Sequence, residues 1–152
     1  MHDGENDQAT ELGAFEGDLA KMIAANGGSS VVTSTGNNIF IQLKSDDSIN
    51  RPGFILQITR GMICICYSYL GCDKKYIMSH MLTIMTLSII VFVDACGDNK
   101  PRVMGAEFEE LLYLESPDYP LPYPNDADCQ WHVTADPGFT IQLTFIEYDV
   151  EV

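Results

Sequence analysis

The sequence is poor in positive charge: 8 lysines and arginines stand against 22 acidic residues, a formal net charge of −14 over 152 residues. Phosphate backbones and anionic lipids are bound by clustered Lys and Arg, so the charge argues against nucleic acid or anionic lipid as a partner and leaves membrane association open. An acidic surface instead suits basic partners or divalent cations, although most surface carboxylates are simply solvated. Fingerprints of catalysis are also missing. There is no Ser/His/Asp constellation, no His-Glu-x-x-His, no P-loop and no dinucleotide-binding glycine run, and no enzyme activity is expected. The opening Met1-His2-Asp3-Gly4-Glu5 carries neither the basic region nor the apolar core of a secretory leader, and no Asn-x-Ser/Thr acceptor occurs. Taken alone, those two absences favour the cytosol.

What is present supports a packed core: 46% of the residues are hydrophobic and 10% aromatic. Charge divides the chain into three. Residues 96–152 hold twelve acidic and two basic residues, residues 1–60 hold eight and four, and the stretch between is close to neutral. Five cysteines lie at 64, 66, 72, 96 and 129, an odd number that leaves at least one over in an oxidising compartment.

The two flanks read as antiparallel β-structure. In Asn38–Lys44, Ile39, Ile41 and Leu43 fall on one face, and Gly53–Thr59 repeats the pattern with Phe54, Leu56 and Ile58. Turn-forming residues 45–53 join them. Towards the C-terminus, Pro117, Pro120, Pro122 and Pro124 forbid helix. Gln130–Val133 is a short strand, and Phe139, Ile141, Leu143 and Phe145 alternate after an Asp136-Pro137-Gly138 turn. Residues 1–30 are polar and rich in glycine, and over Leu12–Ala25 the pattern allows a short helix at most. The expected fold class is all-β, an antiparallel β-sandwich.

The middle does not fit. Residues 77–93 carry no formal charge and approach the length of a membrane helix, with Lys74 and Lys75 at one end. A single-pass membrane protein spanning at 77–93 is therefore a second reading; a buried segment foreign to the fold, helical or not, is a third. Cys64, Cys66, Cys72 and His80 match no zinc spacing.

Three local patterns go further. Cys96-Gly97, then Ser116-Pro117-Asp118-Tyr119-Pro120-Leu121-Pro122-Tyr123-Pro124, then Cys129-Gln130-Trp131, and the strand running into Tyr148-Asp149-Val150-Glu151 resemble the opening half of a CUB domain. Asp3-Gly4, Ser34–Phe40, Ser45-Asp46 and Gly53-Phe54 resemble the closing half of the same domain. The resemblance implies an incomplete jelly-roll sandwich in three parts. On that resemblance residues 1–60 are expected to be the C-terminal half of one CUB domain, 61–95 an atypical apolar insert containing cysteines, and 96–152 the N-terminal half of the next, as at the junction of consecutive repeats in cubilin-like or tolloid-like proteins. The halves are complementary parts of one fold, so pairing between them as a circular permutant is predicted.

The resemblance further implies an extracellular, non-catalytic protein-recognition module within a larger receptor or secreted protease, or the non-catalytic tail of a secreted metalloprotease. It outweighs the cytosolic reading of the missing leader, which is taken as truncation. By resemblance Cys96 and Cys129 form a disulfide, worth about 3–4 kcal/mol in the chain-entropy model. Glu16 stands where the family places a further cysteine. Calcium would be held by Asp46, Ser48 through its carbonyl, and Glu151, with the family's middle Asp absent and Ile49 where an Asn often contributes. Trp131 is expected in the core, and the partner is expected to present Lys or Arg. Tyr119 and Tyr123 are candidates for a binding surface or for covering a sheet edge.

Overall fold

Alternating side chains demand two apolar faces that bury each other, and the chain supplies them from both flanks. A computed structural model describes residues 1–48, 51–62, 102–106 and 112–151. Its strands are β1 (His2–Asp3), β2 (Thr10–Glu11), β3 (Gly17–Asp18), β4 (Val31–Thr33), β5 (Asn38–Lys44), β6 (Gly53–Met62), β7 (Arg102–Ala106), β8 (Leu112–Glu115), β9 (Asp128–Ala135) and β10 (Phe139–Val150). One sheet has the order β2-β1-β5-β9-β7; the other has β3-β10-β6-β8, with β4 also paired to β10. This is the expected β-sandwich.

The pairings run between the flanks. Strand β5 lies antiparallel to β9 from Asn38↔Thr134 to Lys44↔Asp128. Strand β6 pairs with β10 from Met62↔Phe139 to Gly53↔Asp149, and with β8 on its other side. A strand of the N-terminal flank is thus enclosed between two strands of the C-terminal flank.

Between the sheets, Ile39, Ile41 and Leu43 meet Phe54, Leu56, Ile58, Ile141 and Leu143, all buried. Trp131 is fully buried and takes Phe54 edge-on at 5.9 Å between ring centroids. Such aromatic pairs add to the area they bury. Strand β10 alternates through Phe145, then shifts register at a bulge between Phe145 and Glu147. Beyond it Tyr148 and Val150 point inward, and the extra residue leaves Ile146 and Glu147 both exposed.

The short helix α1, Leu19–Ala25, starts at Asp18, whose carboxylate accepts from the Lys21 N–H at 2.9 Å. It buries Met22 in the core. The periodicity over Leu12–Ala25 therefore survives only after Gly17.

One pairing departs from the antiparallel expectation: β7 and β9 are parallel. Between them the chain visits the other sheet as β8, and two reversals return it in its original direction. Strand β6 also continues through Gly61 and Met62, two residues into the segment read as insert. The proposed span at 77–93, Cys64, Cys66, Cys72, His80 and Cys96 lie outside the described residues. Among the described residues no helix is long and apolar enough to cross a membrane.

Candidate functional site

Two of the three residues assigned to calcium by resemblance meet where β5 and β10 end. Strand β5 releases the chain at Ser45, whose N–H donates to the Ala127 carbonyl (3.0 Å) and whose hydroxyl donates to the Pro124 carbonyl (2.9 Å). The same hydroxyl oxygen accepts from the Ala127 N–H at 2.8 Å. The Asp126 N–H, on a residue with φ of 55°, donates to the Asp46 carbonyl at 3.1 Å. These bonds tie loop 45–48 to loop 123–127.

Strand β10 delivers the other partner. The Asp46 N–H donates to Glu151 Oε1 at 2.9 Å, joining residues 105 positions apart. The Ser48 N–H and hydroxyl both donate to Asp46 Oδ1, at 2.7 and 2.6 Å. Those two bonds, the hydroxyl's first, hold the exposed Asp46 carboxyl below the usual aspartate range. Ser48 therefore reaches Asp46 through its donors.

Tyr123 braces the site from below. It is fully buried, and its hydroxyl oxygen accepts from the Glu151 N–H at 3.0 Å. Burial pushes its ionisation up. Of the two tyrosines, only Tyr119 stays on the surface, where its hydroxyl donates to Glu147 Oε2 at 2.5 Å. Tyr123 belongs to the core and the site together.

The remaining Glu151 oxygen, Oε2, is buried and has no hydrogen-bond partner among the described residues. An orphaned carboxylate oxygen is costly and fits a cation or a donor. Calcium takes six to eight oxygens. Asp46, Glu151 and a Ser48 carbonyl would make an incomplete sphere, and among the described residues no group of three His, Cys, Asp or Glu forms a metal cluster. Ile49 and Asn50 lie outside the described residues. Cys129 is fully buried in β9, opposite Leu43.

The geometry defines a class: a two-sheet β-sandwich whose polar chemistry is gathered on loops at one end. The sequence comparisons agree. A family model of the CUB domain matches residues 94–152. The chain is similar to human tolloid-like protein 1, at 30% identity over 126 residues, covering 80% of this chain and 12% of that protein. It is also similar to the zinc metalloproteinase nas-39 of Caenorhabditis elegans (26% over 142 residues; 89% of this chain, 15% of that protein). A cubilin homolog of the same species matches at 37% over 59 residues, 39% of this chain and 1% of that protein. No solved structure matches. Residues 94–152 thus match the CUB-domain family, and the tolloid-like similarity reaches beyond them into the rest of the chain. The chain spans only about an eighth of the tolloid-like relative's length.

Proposed function

We propose that this chain is a non-catalytic, extracellular recognition module, drawn from the junction of two CUB repeats of a larger receptor or secreted protease. One feature supports the junction directly. The alignment to tolloid-like protein 1 covers 80% of the chain, whereas the CUB model matches only 94–152, so the similarity extends well before a CUB opening. Residues 1–60 then act as a closing half and 96–152 as an opening half, with 61–95 as the insert. Cys96 pairs with Cys129 in this reading, and Cys129 stands fully buried in β9.

The binding end is the Asp46–Glu151 meeting, and the observation that carries it is the 2.9 Å bond between them beside a buried oxygen that has no partner among the described residues. Asp46, Glu151 and the Ser48 carbonyl would hold a calcium ion. Bound calcium would supply a fixed positive charge that clamps the two loops. The ligand is a protein presenting Lys or Arg to these carboxylates, which suits a net charge of −14.

Thermal melts against added CaCl2 test this reading. Ligand binding to the native state alone stabilises by about 2.7 kcal/mol when free ligand is a hundred times Kd. The melting temperature is expected to rise with calcium, and Asp46→Ala or Glu151→Ala to abolish the rise. A wild-type melt indifferent to calcium removes the metal from the account.

A further inference from the structure

A second surface lies on the outer face of the sheet that carries β10, along the strand before Glu151. The bulge in β10 turns two consecutive residues outward, so that Ile146, 43% exposed, stands beside Glu147. Together with Leu19, Tyr119, Tyr148 and Asp149 they line a groove of about 350 Å³. Ile146 and Leu121 are the exposed large hydrophobic residues among those described, and Leu121 shares the turn of Tyr119, donating its N–H to the Asp118 carbonyl at 2.7 Å. A bulge that re-aims side chains out of a sheet is a recurrent feature of working surfaces.

The rim is acidic. Glu147 and Asp149 line the groove, and Arg51 is the base paired with Asp149. Arg51 reaches Asp149 only at 4.0 Å, with both side chains partly exposed, and such a pair contributes little. Glu147 takes its bond from the Tyr119 hydroxyl, and among the described residues it has no salt bridge to a Lys or Arg. Apolar floor and negative rim together select the occupant by charge complementarity.

We propose that this groove docks a partner segment carrying a Lys or Arg beside an aliphatic side chain. The aliphatic group covers Ile146 and the Tyr119 ring, and the cation sits between Glu147 and Asp149. The inference rests on the recognition-module reading and adds a contact surface to it.

The test is an NMR titration of the ¹⁵N-labelled full chain with the peptide acetyl-Gly-Leu-Lys-Leu-Gly-amide, with its Lys→Glu counterpart as control. Shifts are expected to cluster at Leu19, Gly53, Tyr119 and Ile146–Asp149 for the Lys peptide alone. Ile146→Ser and Glu147→Gln should each weaken binding about fivefold, a contact of ordinary surface strength. Glu5→Gln, at an exposed acid elsewhere, should leave it unchanged. Shifts scattered over the acidic surface, or an equal loss in Glu5→Gln, overturn the groove. Shifts confined to Asp46–Ser48 and Glu151 and dependent on calcium also overturn it while leaving the recognition module standing. Loss of the calcium response with groove binding intact would instead strike the metal site alone.

Discussion

Strand β6 is held along its whole length, from Met62↔Phe139 to Gly53↔Asp149 on one side and from Ile55↔Glu115 to Ile58↔Leu112 on the other. Strand β1 meets β5 at the single pair His2↔Phe40. The contrast shows where the two flanks are joined. Long ladders that bury Leu56, Ile58, Ile141 and Leu143 do the joining, and the polar N-terminal strands are an addition at a sheet edge. Side chains in the ladders are expected to control global stability, those at the β1 edge to have local effects.

The largest effect is expected at Trp131, fully buried between the sheets against Phe54. Trp131→Ala should cost about 3–5 kcal/mol, read from the urea midpoint. A loss under 1 kcal/mol would mean that the ladders do not enclose a close-packed core.

Gly53, where β6 begins, comes next. Its φ is +93°, and an added Cβ would lie 1.8 Å from Ser116 Oγ, a group whose oxygen accepts from the Phe54 N–H. Gly53→Ala should therefore cost about 1–3 kcal/mol by the same measurement. A neutral result would show that the β6–β8 end yields easily.

At the weak edge, the Asp3 carboxylate accepts from the Thr35 N–H at 3.0 Å and from its hydroxyl at 2.6 Å, in an exposed setting. Asp3→Asn should cost roughly 0.5–1 kcal/mol. It should also speed amide exchange at Thr35 without changing exchange in β6. Faster exchange in β6 would erase the distinction between edge and ladder.

The smallest effect concerns pH. The Asp46 carboxyl is lowered on folding by the Ser48 hydroxyl and N–H, so its contribution is present above the unfolded aspartate value and lost as pH falls through the folded one. Ser48→Ala should raise the Asp46 titration midpoint, measured by carboxyl NMR. An unmoved midpoint would deny the bonds their role.

Much of this was legible because alternation is a local signal. Ile39, Ile41 and Leu43, Phe54, Leu56 and Ile58, and Ile141, Leu143 and Phe145 all face the core as their spacing predicts. The resemblance located Asp46 and Glu151, which the fold brings together. Tyr123 was harder to place, because its flanking prolines point to an irregular path and its burial comes from Arg51, Glu151 and Gly53. Its equal spacing with Tyr119 concealed opposite environments. The parallel pairing of β7 had no local signal either, since direction in a sheet is set by how many times the chain crosses between layers. The bulge that exposes Ile146 was hidden for a similar reason: an extra residue in one strand shows only against its partner.

The central claim is that the two flanks fold as one sandwich through their own ladders. It is tested most directly by cutting the chain between them. A protease site placed at 74–79, in a background with Cys64, Cys66 and Cys72 changed to Ser, leaves no cysteine in the N-terminal piece to tether it. After cleavage the pieces are predicted to elute together on gel filtration without denaturant, with a strand-rich circular dichroism spectrum. Two separate peaks, each short of β-structure, would contradict it.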